Sequence, residues 1–319
     1  MTVFGLKLMS ELRGPVTLVD QAIAAEARGL EFVSISDHFH PWLPEQHHSP
    51  FAWSVLGAIA SRTTTIELAT GVTCPILRYH PAIVAQAAAT VAAMSNRRFT
   101  LAVGAGERLN EHVTGGHFPS VDLRHEMLEE AVDIIRTLWT GDWTTIRGQH
   151  LSVEDARLFD LPDDPPDLAV AVSGPASLEV ARRCGADAIV ATESKAELVD
   201  GWVEGGGDRS MTWTEVPFAW APSVDEGREL ARSRFRFGAG GWKVMSELPN
   251  PVNFDAATSQ VRPEDLVDSV PSGPDPAPYV AALRAYQDAG FERIAIVPVG
   301  DDLDVLLEFW EREVRPEVG

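Results

Sequence analysis

Short apolar runs alternate with longer amphipathic stretches along almost the whole chain, and that alternation restricts the fold more than any other feature. The runs are 3–8 (VFGLKL), 31–36, 65–70 (TIELAT), 98–103 (RFTLAV), 167–172 (DLAVAV), 187–191 (DAIVA), 213–220 and 292–297 (ERIAIV), each with the length and bounding residues of a buried strand. Between and after them lie helix patterns at 17–28, 51–61, 82–94, 122–139, 175–184, 223–236, 277–289 and 302–314. Thr17 is a plausible N-cap, Gly29 a stop, and Pro81 a helix start. The clearest helix is 122–139, where Met127, Leu128, Ala131, Ile134, Ile135, Leu138 and Trp139 recur at three and four while Glu126, Glu129, Glu130 and Asp133 fill the other face. About eight strand-then-helix units follow one another with no linker. This predicts an α/β chain folded as a single (β/α)8 TIM barrel over 1–319, in preference to an open doubly wound sheet. The excess length falls at 37–50, 142–166 and 238–275, which read as loop insertions. The last holds five prolines from Pro249 to Pro274 and is expected to carry little regular structure.

The partners excluded follow from charge. Lys and Arg total 26 against 47 Asp and Glu, a net charge of -21, which repels nucleic acid and anionic membranes. No stretch has the length and apolarity of a membrane span, so a cytoplasmic protein is expected. Cys74 and Cys184 stand far apart with no CxxC spacing, which argues against a disulfide framework or a cysteine-rich metal site. The lysines are Lys7, Lys195 and Lys243 alone, so an anionic ligand needs a local cationic pocket.

Chemistry concentrates where the second strand ends. Asp37, His38, His40 and Trp42 fall within six residues, closed off by Pro41 and Pro44. In a barrel these residues occupy the carboxyl end of a strand, where such enzymes place their catalytic groups. An imidazole there can take a hydroxyl proton as hydride leaves, and Trp42 either packs or covers a planar ligand. After the fourth strand, GAGERLNE (104–111) lacks the third glycine of a dinucleotide fingerprint and the lysine of a P-loop. It offers close backbone approach at Gly104 and Gly106, with Glu107 on the rim able to shuttle a proton. TGVTCPILRYHP (70–81) joins a strand end to a helix start; Gly71-Val72 is a sensible place for local strain against a ligand, and Arg78 and His80 serve the loop's own structure as the alternative. His38, His40, His47, His48, Asp37 and Glu45 raise the question of a metal, but there is no HExxH, and no metal is expected.

SDHFHPW (36–42), TGV (70–72), RYHPAIVAQA (78–87), GAGERLNE (104–111) and SGPASLEVARRCGAD (173–187) together resemble the bacterial-luciferase-like superfamily and, within it, the coenzyme F420-dependent glucose-6-phosphate dehydrogenases. The resemblance covers nearly the whole chain and fades over 238–275. It implies a barrel with inserted segments, usually a homodimer, that uses the 8-hydroxy-5-deazaflavin F420 as a hydride carrier. It implies His38 as general base, Glu107 as the proton-handling group at the cofactor, and Trp42 at the reacting centre. Cofactor contacts are implied at Asp37, Thr70, Gly71 and Val72, with a non-proline cis bond at Gly71-Val72. Further ones are implied at Gly104, Ala105, Gly106, Asn110, Ser173 and Gly174. Glu11 and Lys195 match substrate-binding positions. The departure is in phosphate recognition: Lys243 is only a loose match to a second lysine, and the family's arginine falls on or near Val267. The expected activity is hydride transfer between F420 and a hydroxyl or carbonyl substrate such as a sugar or secondary alcohol. The alternatives are glucose-6-phosphate dehydrogenase proper, an FMN-dependent luciferase-like monooxygenase, and a catalytically silent binding protein.

Overall fold

The computed structural model describes residues 2–319. Its strands are β1 (Val3–Leu8), β2 (Phe32–Ile35), β3 (Glu67–Thr70), β4 (Phe99–Val103), β5 (Thr144–Arg147), β6 (Ser152–Ala156), β7 (Asp167–Ala171), β8 (Ala188–Val190), β9 (Thr212–Phe218) and β10 (Arg293–Pro298). All but β5 and β6 pair in parallel and close in the order β1-β10-β9-β8-β7-β4-β3-β2. The eight barrel strands match the eight apolar runs of the sequence. Parallel strands need crossovers, and these are the helices Pro15–Ala27, Ala52–Arg62, Pro81–Met94, Val121–Leu138, Pro175–Arg183, Ala196–Glu204 and Ala277–Asp288, with Leu303–Phe309 after the last strand.

Side chains alternate across each strand, so one set faces the helices and the other fills the barrel. Val33, Ile35, Leu68, Leu101, Val170, Ile189 and Ile294 belong to the large cluster under the helices. Inside the barrel sit Ala69, Ala102, Ala169, Ala188 and Ala295 around Phe32 and Trp213. These two rings meet edge to face at 4.7 Å and take up the room that a layer of alanines leaves. Buried Lys7 also lies there. Its ammonium donates to Gly71 O at 2.7 Å and pairs with Glu215 at 2.9 Å.

Three local expectations are corrected. The first helix starts at Pro15 with Gly14 at the cap, so Thr17 lies in the first turn and caps nothing; proline's fixed φ and missing N–H suit that first position. The same rule holds at Pro81, where the His80 ring accepts from Ala82 N. Ala196–Glu204 was not anticipated, because Gly201 interrupts its pattern. There the glycine serves packing: a Cβ would lie 2.8 Å from Leu178 on the neighbouring helix. The 238–275 segment is more ordered than its prolines suggest, with helices Trp242–Met245 and Pro251–Thr258 and a 3-10 turn Pro263–Leu266. Pro251 and Pro263 begin helical turns rather than break them, and Asn250 caps the second helix through Asn253 N. In 142–166, β5 and β6 form an antiparallel hairpin whose turn amides at Gln149, His150 and Leu151 all donate to Glu130 of helix Val121–Leu138.

Candidate active site

His38 stands at the carboxyl end of β2, and two carboxylates from other strand ends converge on its ring. Nδ1 lies 2.8 Å from Glu11 Oε1, just past β1, and Nε2 lies 3.5 Å from Glu107 Oε1, just past β4. The three side chains are 10%, 1% and 14% exposed, so the ring is screened but still reachable from the Glu107 side. Burial alone would push the imidazole down in pKa. Attraction to Glu11, 2.8 Å away, and the field of Glu107 outweigh burial and hold His38 above its ordinary value, against a smaller opposing push from Arg78. Burial likewise opposes ionisation of Glu11, and the charge of His38 overcomes it, so Glu11 sits below the usual carboxylate range. With Glu11 at Nδ1, the free edge of the imidazole is Nε2. This is the arrangement of an oriented general base.

Trp42 packs edge-on against His38 with centroids 4.7 Å apart, stacks on Phe237 at 4.9 Å and meets Phe254 at 5.2 Å. Leu43, Leu109 and Met245 complete this apolar cluster. Met245 and Phe254 of the 238–275 segment, with Phe237 just before it, therefore supply the wall behind Trp42. Buried Arg236 fastens that wall to the loop after β2, pairing with Glu45 and with Asp255 at 2.8 Å.

Asn110 is buried beneath the rim. Its Oδ1 accepts from Phe39 N at 2.7 Å and His40 N at 3.0 Å, and its amide donates to Glu107 Oε1. It therefore holds the His38 loop and the Glu107 carboxylate, a contact set beyond the cofactor role expected of it. The Asp37 carboxylate is completely buried. It accepts from Thr73 Oγ1 (2.7 Å), Arg78 Nη2 (3.1 Å) and Tyr79 OH (3.0 Å), so this side chain, expected on the cofactor, is spent on the loops below. Thr70 is likewise turned inward: its hydroxyl donates to Ala102 O and accepts from Ala102 N, joining β3 to β4. His40 faces Leu109 O rather than the site, and His47 and His48 are exposed.

The remaining expected positions line an arc. Gly71-Val72 follows β3 and is a cis peptide bond. Gly104, Ala105 and Gly106 follow β4, and Ser173 and Gly174 follow β7. With β2, these strands are consecutive neighbours in the barrel. A Cβ on Gly104 would lie 2.9 Å from Val72 Cγ2, and Gly106 takes φ 76° with Cys74 Sγ 2.6 Å from where its Cβ would be, so glycine is needed at both. Nothing lies within 4 Å of a Cβ at Gly174. The result is bare backbone on one side of the barrel mouth, ending at the N-terminus of helix Pro175–Arg183, where Ser173 N and Gly174 N meet Ser177 Oγ. Such a cradle lets backbone approach a flat ring system closely.

The luciferase-like monooxygenase family model matches residues 4–305. The chain belongs to that family. This luciferase-like protein is 34% identical over 328 residues to an F420-dependent glucose-6-phosphate dehydrogenase of Tsukamurella paurometabola, covering 98% of this chain and 97% of the relative. It is also 34% identical over 307 residues to an F420-dependent hydroxymycolic acid dehydrogenase of Mycobacterium tuberculosis, covering 94% and 84%. Among solved structures, an F420-dependent secondary alcohol dehydrogenase in complex with an F420-acetone adduct superposes with a TM-score of 0.89 at 28% identity, covering 100% of this chain and 99% of that one.

The cations expected at a phosphate do not gather in this luciferase-like chain. Lys195 is 41% exposed and pairs with Glu193. Arg262, the one arginine of the 238–275 segment that could stand in for the missing one, is 71% exposed and pairs with Asp265. Lys243 is exposed on helix Trp242–Met245, and Val267 offers no donor. Sequence reasoning missed the groups under the site: Thr73, Tyr79 and Glu111, with Arg78 noted only as loop structure. Their signal was weak, because RYHP and LNE are read singly while their contacts join distant loops.

Proposed function

We propose that this protein passes a hydride between coenzyme F420 and the carbinol carbon of a neutral alcohol, or the carbonyl carbon of its oxidised form. It is an F420-dependent oxidoreductase acting on hydroxyl and carbonyl groups. The observation that carries the reading is His38, held by Glu11 through Nδ1 with Nε2 facing Glu107 at the barrel mouth. The bare backbone of Gly71-Val72, Gly104–Gly106 and Ser173–Gly174 would hold the ring and its anionic tail. When bound, the deazaflavin supplies a two-electron hydride acceptor or donor. In the oxidative direction His38 Nε2 takes the hydroxyl proton while Glu11 stabilises the imidazolium that forms. Glu107, its Oε1 held by Asn110, manages a proton on the opposite side of His38. Trp42, braced by Phe237 and Phe254, excludes water beside the imidazole and presents an apolar face to the substrate.

The substrate class follows from the side chains available. Trp42, backed by Phe237 and Phe254, presents an apolar wall beside His38, while Lys195 and Arg262 are exposed and paired with Glu193 and Asp265 and Lys243 is exposed. A neutral secondary alcohol or ketone fits this wall better than a sugar phosphate. We further propose that residues 1–319 act as one domain with 37–50, 142–166 and 238–275 as insertions, and that the protein is a cytoplasmic homodimer, which sedimentation of the purified protein checks.

The deciding experiment follows loss of deazaflavin absorbance when purified protein and F420 are mixed with secondary alcohols, sugars and sugar phosphates. Turnover with a neutral hydroxyl compound supports the proposal. Inactivity with the whole panel, together with FMN-dependent oxygen consumption, sinks it in favour of a monooxygenase; cofactor binding without turnover would favour a silent binding protein.

A further inference from the structure

One buried guanidinium touches the supports of both proton-handling groups. Arg78, its side chain 7% exposed, lies in the loop between β3 and helix Pro81–Met94. Its Nη2 donates to the backbone carbonyl of Asp37 at 2.6 Å and to the Asp37 carboxylate at 3.1 Å. Asp37 immediately precedes His38. On the other side, Arg78 N donates to Glu111 Oε2 at 2.9 Å and Nε lies 3.5 Å from Glu111 Oε1. Glu111 is one helical turn beyond Glu107 and donates its own N–H to Glu107 O at 3.2 Å. Arg78 Nη1 also donates to Tyr79 OH, which in turn donates to Asp37.

We infer that Arg78 is a positioning residue that sets the separation of His38 and Glu107 by pinning Asp37 on one side and Glu111 on the other. A fork with several fixed N–H directions can bridge two loops; an ammonium at the same place can hold one anchor at a time. The charge acts too. Arg78 is one of the groups whose field lowers His38, against Glu11 and Glu107, which raise it. Burial, helped by the charge of Glu107, outweighs the lowering effects of the Arg78 charge, the Arg78 backbone N–H and the Cys74 hydrogen bond, and holds the Glu111 carboxyl up at about 7. With Asp37 also drawing on the same cation, the anchor is one residue: its guanidinium hydrogen-bonds Asp37 and forms an ion pair with Glu111, which its backbone N–H holds as well.

Bridging and charge are separated by two variants, read on a property that needs no turnover. In cofactor-free protein the His38 ring is titrated by NMR, its signal assigned by its loss in His38→Ala. Arg78→Gln removes the cation and is expected to move the His38 pKa upward. Arg78→Lys keeps the cation and is expected to leave it close to wild type. In the loaded enzyme both variants are expected to lose about 10- to 100-fold in kcat, as a misplaced base does, with KM changed far less. A buried, unpaired Asp37 can prevent Arg78→Gln from folding, and the Asp37→Asn/Arg78→Gln double variant then replaces it, compared with Asp37→Asn alone for the upward shift. An unchanged or lowered His38 pKa on loss of the cation overturns the electrostatic part. Arg78→Lys turning over within about threefold of wild type overturns the bridging part. The NMR readout stands even where wild type fails to use F420, so failure of this inference and failure of the proposed reaction are told apart.

Discussion

The imidazole of His38 turns Nδ1 to Glu11 and leaves Nε2 toward the barrel mouth near Glu107, and this makes its proposed role testable in two independent ways. His38→Ala removes the base and is expected to cut turnover by roughly 10²- to 10⁴-fold with cofactor affinity nearly unchanged; a loss under about threefold at saturating substrate would mean another group takes the proton. Glu11→Gln tests the tuning. His38 is held above its ordinary pKa because the pull of Glu11 and Glu107 exceeds the effect of burial. Oxidation of an alcohol needs the neutral ring, so kcat/KM falls as pH drops through the His38 pKa. Removing the Glu11 charge lowers that pKa, and the acid limb of the profile is expected to move to lower pH. A limb that stays put, or moves up, rules Glu11 out as the tuning group. That His38, Glu107 and Trp42 would gather at one place was legible in the sequence, because imidazole, carboxylate and indole at strand ends are poor packing material. What Asp37 and Asn110 do was not legible. Asp37 looks the same in sequence whether it meets a ligand or Thr73, Arg78 and Tyr79; only the fold brings those three to it.

At the level of elements, the eight barrel strands were read correctly, while the β5–β6 hairpin was missed and the connections were read less well, because barrel strands are bounded by burial while loops are organised by individual polar side chains. Glu26, at the end of helix Pro15–Ala27, shows this. Its Oε1 accepts from the amides of Thr64, Thr65 and Ile66 and from Thr65 Oγ1, tying the helix to the turn that feeds β3. Burial pushes its carboxyl up, but these hydrogen bonds outweigh it and hold the pKa at about 2. A depressed native pKa contributes stability that is complete above the unfolded value and is lost as pH falls through the native one. Glu26→Ala is therefore expected to lose about 1–2 kcal/mol at neutral pH, a value reduced for partial exposure. The gap between variant and wild type should close between pH 4.5 and about 2, as denaturant titrations at successive pH values would reveal. A gap independent of pH would show that Glu26 acts by packing alone. The same blindness explains 238–275: prolines were read as breakers, whereas Pro251 and Pro263 occupy first-turn positions.

Across the whole molecule, charge and site composition both bear on the proposed preference for a neutral substrate. A net charge of -21 makes the general field hostile to a dianion unless local cations overcome it, and the structure disperses the cations that could do so. Lys195 and Arg262 are exposed and paired with Glu193 and Asp265, while buried Arg236 and Arg78 are held between carboxylates of their own. The barrel itself was foreseeable from eight strand-then-helix units, since their number and order leave few alternatives. The proposed selectivity was foreseeable only as a missing arginine at Val267, because the wall of Phe237, Met245 and Phe254 is brought to Trp42 by the fold alone. Glucose-6-phosphate is therefore expected to be a poor substrate beside a neutral secondary alcohol. Each charge-assisted contact missing from a phosphate forgoes about 1.5–3 kcal/mol, so one or two missing contacts weaken transition-state binding by roughly one to four powers of ten. Steady-state kinetics with glucose-6-phosphate, glucose and a series of secondary alcohols decide the matter. Raising ionic strength in the same assays provides a second check, since screening weakens the protein's repulsion of the dianion and leaves a neutral substrate almost untouched. A kcat/KM for the phosphate ester about 100-fold above that for the free sugar, and within the ordinary enzyme range above about 10⁴ M⁻¹s⁻¹, would show that a phosphate site forms here after all.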